Sequence, residues 1–137
     1  MRVNARSYIY KDREYDLPIV SIVTDPLNLY DDSLGIYVKG VNGRTGNGQS
    51  TPCNWNMDWD RPVNVEYLTV DGEMVINQEA NMEMCGGWSR AWTPHSFKIK
   101  ANKIYEGENF LPYQVFPNKA YLKHKTWQIR NGGNDTG

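Results

Sequence analysis

Hydrophobic and polar positions alternate most clearly between Ala80 and Ala101. Met82 and Met84 alternate with Glu83 and Cys85. Gly86-Gly87 interrupts the run, and Phe97, Ile99 and Ala101 then alternate with Lys98 and Lys100. A period of two predicts a half-buried strand on each side, and a glycine pair predicts the break between them. The connecting loop holds Trp88, Ser89, Arg90, Trp92 and His95, the densest mixture of aromatic and cationic residues in the chain. It is the first place to look for a site.

The same reading extends along the chain. Val63–Val70 and Glu73–Ile76 flank Asp71-Gly72, a dipeptide suited to the two positive φ angles of a type I′ turn. A two-residue turn sets Tyr67 opposite Ile76 and Thr69 opposite Met74. Val63, Val65, Tyr67, Met74 and Ile76 then share the core face. Leu17 to Thr24 is apolar on both parities and predicts a strand buried on both faces, with Pro18 near its start. Asp25-Pro26 predicts an N-cap and first helical residue for a short helix through Tyr30. Gly35 to Gly40 reads as a short strand. Residues 40–54, with glycines at 40, 43, 46 and 48, read as a long surface loop without a phosphate-binding pattern. Thr126 to Asn131 is the last predicted strand, with Trp127 and Ile129 inward. Tyr8 and Tyr10 around Ile9 permit another, and Phe110, Leu111, Tyr113, Val115, Phe116, Tyr121 and Leu122 read as apolar anchors in irregular chain. The expected fold class is mainly β (β-rich α+β): an antiparallel sheet or sandwich with long loops and one or two short helices, as a single domain over residues 1–137.

Composition narrows the function classes. The net charge is −1, and no basic stripe carries interleaved aromatics, which argues against nucleic acid as a partner. No apolar run approaches a membrane span, and no signal-peptide core is visible. Nine Tyr and five Trp against three Phe favour half-exposed aromatic surfaces. Cys53 and Cys85 are too few for a disulfide framework; they could pair once, and the leading reading is two buried thiols. Sheet edges could pair two copies of the chain into a homodimer.

Candidate chemistry is sparse. Trp55 and Trp59 stand four apart amid Asn and Asp. The leading reading has their rings covering a sheet edge while the polar residues satisfy loop amides. The second is a sugar platform. The third is a calcium loop through Asn56, Asp58 and Asp60, which lacks the glycine and distal Glu of an EF-hand. Neither His95 nor His124 has metal-ligand spacing, so no metal site is expected. Asp31-Asp32 reads as capping or solvated, and no nucleophile–base motif occurs.

In order along the chain, several blocks resemble the N-terminal part of the spore coat protein H (CotH) kinase-like family. They are Leu17-Pro-Ile-Val-Ser-Ile-Val-Thr-Asp-Pro-Leu-Asn-Leu-Tyr-Asp-Asp with Gly35-Ile-Tyr-Val, Arg61-Pro-Val-Asn-Val-Glu-Tyr, Gly86-Gly-Trp-Ser-Arg with Pro94-His-Ser-Phe-Lys-Ile, and Ile129-Arg-Asn-Gly-Gly-Asn-Asp. The resemblance implies an atypical bacterial protein kinase that uses ATP and a divalent metal to phosphorylate Ser or Thr on coat or secreted proteins, at the cell surface or outside it. It implies that the catalytic aspartates lie in a larger helical part downstream. This chain is then a fragment, inactive alone, whose partner is the remainder of the parent chain. By the same match Arg90, His95 and Lys98 fall at the nucleotide-facing positions, with His95 where the family usually carries a lysine. A residue-level alternative has Arg90 bridging loop carbonyls. The alternative function is a non-catalytic surface module that binds glycan or protein through Trp55, Trp59, Trp88 and Trp92.

Overall fold

The computed structural model describes residues 17–101 and 125–131. The chain is mainly β, as expected. A five-stranded antiparallel sheet has the order β1-β4-β5-β6-β7, and β2-β3 is a separate two-stranded hairpin. The strands are β1 (Ile19–Val23), β2 (Arg44–Gly46), β3 (Gln49–Cys53), β4 (Arg61–Leu68), β5 (Met74–Met84), β6 (Phe97–Ala101) and β7 (Thr126–Ile129). Among the described residues the only α-helix is α1 (Pro26–Tyr30), joined by two 3-10 turns, Asn54–Asn56 and Trp88–Ala91. No helix among them is long and apolar enough to cross a membrane.

The chain divides into two compact units. Among the described residues, the first holds 17–24, 63–80, 101 and 125–126. The second holds 25–62, 81–100 and 127–131. In the first, β1 pairs with β4 from Ile19 opposite Leu68 to Val23 opposite Asn64. Its buried apolar residues are Val63, Val65, Tyr67, Ile76, Ala80 and Ala101. In the second they are Ile36, Cys53, Met82, Met84, Cys85, Ile99 and Trp127. Met82, Met84, Ile99, Ala101 and Trp127 are therefore inward as the sequence predicts, but Asn81 and Cys85 on the opposite parity are buried as well and Phe97 is half-buried. Both cysteines are buried free thiols whose pKa is pushed up by burial, which keeps them protonated and unreactive.

Four local expectations are corrected. Leu17–Thr24 is not buried on both faces: β1 ends the strand order, its residues are mostly half-buried, and Val20 and Leu17 are exposed. The Asp71-Gly72 turn is not type I′, because only Gly72 has positive φ (84°). The Gly72 N–H donates to the Thr69 carbonyl, and the Thr69 N–H donates to the Glu73 carbonyl, each at 2.9 Å. A three-residue loop with glycine in the left-handed position results. Thr69 thus faces Glu73 rather than Met74, and Met74 is only half-buried. Residues 35–40 form no strand. Instead the N–H groups of Gly35, Ile36 and Tyr37 donate to the Asp31, Asn28 and Leu29 carbonyls, closing the C-terminal end of α1. Residues 40–54 are not a loop throughout, since β2 and β3 pair there. Their turn is Asn47-Gly48, with φ of 52° and 82°, the positive pair that a type I′ hairpin demands. The helix N-cap is as expected: Asp25 Oδ1 accepts from the Leu27 N–H at 2.9 Å, with Pro26 first in the helix. The anchors at Tyr8–Tyr10, Phe110–Phe116 and Tyr121–Leu122 lie outside the described residues.

The second unit has little regular structure between 31 and 62, so its buried backbone needs other partners. Asn54, fully buried, supplies them. Its Nδ2 donates to the Asp32 and Gly35 carbonyls, each at 3.0 Å, and its Oδ1 accepts from the Asn42 N–H at 3.1 Å. Asn54→Ala orphans the buried Gly35 carbonyl, while the Asp32 carbonyl keeps the Val41 N–H and Asn42 is exposed enough to meet water. One orphaned buried group costs about 1–3 kcal/mol, and urea denaturation should show a loss in that range.

Candidate functional site

The Gly86–Ser96 loop is built by side chains that reach into it from distant segments. Gly86 has φ 103°, and the 3-10 turn Trp88–Ala91 follows. Arg90 holds the turn from inside: its Nε donates to the Gly86 carbonyl at 2.9 Å and its Nη1 to the Trp55 carbonyl at 3.3 Å. Asn131 holds it from the far end of the chain. Its Nδ2 donates to the Ser89 and Trp92 carbonyls at 3.1 and 3.2 Å, and its N–H donates to Ser96 Oγ at 2.9 Å.

His95 is buried behind this turn. Its Nδ1 lies 2.8 Å from the Arg90 carbonyl oxygen. A carbonyl only accepts, so Nδ1 carries the proton and the neutral ring keeps Nε2 as its acceptor. The His95 N–H donates to the Tyr37 hydroxyl at 3.0 Å. The imidazole stands edge-on to Tyr37, with centroids 4.4 Å apart, and is tilted against Trp55 at 4.9 Å. Burial lowers the His95 pKa below its ordinary value, opposed by hydrogen bonds from the backbone around it.

Of the residues matched to a nucleotide-facing role, Arg90 and His95 meet through the Arg90 carbonyl, and Lys98 pairs with a carboxylate of β5. Arg90 has only 12% of its side chain exposed and is spent largely on loop carbonyls, the alternative raised from sequence. Lys98 lies 3.6 Å from Glu83. Lys100 reaches Glu83 at 2.6 Å and Asp60 at 2.7 Å. Burial alone pulls the Lys100 pKa down, but these two carboxylates outweigh it and the net shift is upward. The β6 lysines therefore face carboxylates rather than open solvent.

The four tryptophans do not act alike. Trp55 packs on His95 and donates through Nε1 to Gln49 Oε1 at 3.2 Å. Trp59 lies under the Arg61 guanidinium at 5.1 Å. Trp88 and Trp92 point outward, 69% and 46% exposed. Trp88 rests against Gly48, so closely that a Cβ there would run into its indole. The oxygens proposed for calcium are engaged separately. Asn56 Oδ1 accepts from Asn47 Nδ2, Asp58 pairs with Arg44, and Asp60 with Lys100. Among the described residues no group of three His, Cys, Asp or Glu side chains is placed to hold a metal.

Sequence reasoning missed Tyr37 and Asn131 as organisers of this region, while Asn54 and Asn56 satisfy loop amides as it expected. Asn47-Gly48 was a readable hairpin signal, whereas nothing in the sequence marks Asn54 as buried rather than solvated. Comparison with protein-family models, with curated proteins and with solved structures finds no match.

Two outcomes follow. Because the folded pKa of His95 is depressed, its contribution to stability is complete above about pH 6.5 and is lost as pH falls through the folded value. His95→Phe should flatten that part of the pH–stability curve, read by urea midpoints from neutral to acid pH. Gly48→Ala should cost about 1–2 kcal/mol for the left-handed backbone alone and alter the Trp88 emission through the displaced indole.

Proposed function

We propose that this chain is the β-rich N-terminal segment of a CotH-like atypical protein kinase, and that it positions substrate for a catalytic part it does not itself contain. One observation supports the reading. Two of the blocks that carry the resemblance, Gly86–Ile99 and Ile129–Asp135, are joined through Asn131, which bonds Ser89, Trp92 and Ser96. Residues far apart in sequence that are fastened into one turn behave as one motif. ATP and a divalent metal belong, on this reading, mainly to the downstream part. Arg90 Nε and His95 Nδ1 act here by shaping the turn, each bonded to a carbonyl of the chain itself.

The coding sequence that surrounds these residues tests the proposal. A frame that continues into a helical region with acidic catalytic motifs is expected, and an unrelated continuation overturns it. In a phosphotransfer assay with ATP and magnesium, residues 1–137 alone should label no protein substrate. Measurable labelling by this segment would refute the division of labour.

A second reading has one observation in its favour. The Trp88–Ala91 turn is locked by at least four hydrogen bonds to Gly86, Trp55, Ser89 and Trp92 carbonyls, yet it turns two large indoles to solvent. Rigid exposed aromatics suit stacking on a sugar ring or a protein partner. Titration of the intrinsic fluorescence with a panel of oligosaccharides should give a saturable change that Trp88→Ala abolishes. A flat response across the panel removes the glycan arm of this reading.

A further inference from the structure

Arg44 opens β2 and Arg90 lies in the Trp88–Ala91 turn, and each guanidinium is fixed by backbone carbonyls before any acid is considered. Arg44 Nε donates to the Asn56 carbonyl at 3.0 Å. Arg90 donates to the Gly86 and Trp55 carbonyls. Both then turn a nitrogen toward one carboxylate, Asp58. Arg44 Nη2 is 2.9 Å from Oδ2, and Arg90 Nη1 is 3.7 Å from Oδ1. The carboxylate satisfies the first arginine and stops short of hydrogen-bond reach of the second. The Asp58 side chain is 63% exposed and that of Arg44 57%, so the pair is screened by water and weakly held. Two anchored guanidiniums around an easily displaced carboxylate make a preformed oxyanion site with a resident occupant. The nearby lysines do not compete for that role, since Lys98 and Lys100 are matched by Glu83 and Asp60.

We propose that Arg44 and Arg90 form a binding site for a phosphate monoester or similar dianionic oxyanion, and that Asp58 is its built-in competitor. An untethered phosphate has more oxygens and more charge than Asp58, and can contact both guanidiniums at hydrogen-bond distance. Arg44 and Asp58 lie outside the blocks that carry the kinase resemblance and Arg90 lies inside one, and the site is argued from the geometry of these three side chains.

The test is a phosphate titration at constant ionic strength, followed by the arginine side-chain and backbone resonances of Arg44, Asp58 and Arg90. In the wild-type chain, inorganic phosphate should shift these signals saturably where chloride does not. Asp58→Asn keeps the side-chain shape and removes the competing charge, so it should bind phosphate at least about tenfold more tightly. Arg44→Gln in the same background should abolish saturation, while retained tryptophan emission shows that the turn is intact. If Asp58→Asn perturbs the fold, Asp58→Ser serves in its place. The proposal fails if the Asp58 variants show no saturable shift at Arg44 and Arg90. It fails equally if Arg44→Gln leaves the phosphate response unchanged.

Discussion

The second unit depends on asparagine amides doing what strands and helices do elsewhere. Backbone N–H and C=O groups that leave water must find partners. Between residues 31 and 62 there is one short hairpin and one 3-10 turn, too little to satisfy them. Asn54 accepts one N–H and donates to two carbonyls from the 32–42 segment. Asn56 donates to the Arg44 carbonyl and accepts from Asn47. Asn131 closes the Gly86–Ser96 loop in the same way. A carboxamide suits this task because it offers two donors and an acceptor without a charge to desolvate.

With the backbone settled by these amides, the charged side chains are free to form a surface pattern. Arg44, Asp58 and Arg90 make one group, and Asp60, Glu83, Lys98 and Lys100 make another. Each exposed pair adds little to stability. Their arrangement matters more for what the surface can attract, and the arginine group is the one whose cations are positioned by something other than their acid. The locked turn carrying Trp88 and Trp92 contributes to the same region of chain through Arg90, which is common to both features.

Much of the fold was legible from pattern, and the reasons for the misses are specific. Alternation located β6 and the two ends of β5, which the sequence read as separate strands and the structure joins into one, and Asp25-Pro26 located the start of α1, because local sterics and capping decide those features. The strand expected at 35–40 failed because its first N–H groups are claimed by carbonyls at the end of α1, partners four to eight residues back that periodicity does not register. The doubly apolar β1 turned out to lie at the end of the sheet order, and hydrophobicity alone cannot report strand position. In β4, Asn64 and Glu66 occupy the parity expected to face solvent and are buried, with Asn64 donating to Asn77 at 2.8 Å. For the site, the sequence located the right loop but not its builders. Tyr37 and Asn131 bear on it from far along the chain, and contacts of that kind leave no local trace.

The Asn47-Gly48 turn has a chemical future as well as a shape. An Asn-Gly step is the dipeptide in which the following backbone nitrogen most readily attacks the side-chain carbonyl carbon, expelling ammonia to close a cyclic imide that water then opens to a carboxylate. Here that amide nitrogen donates to Asn56 Oδ1 at 2.9 Å. Its conversion would place an acid against an acceptor in the half-buried floor of the hairpin. The dipeptide that reverses the chain is thus also one at which the molecule can age, as Asn42-Gly43 and Asn131-Gly132 are.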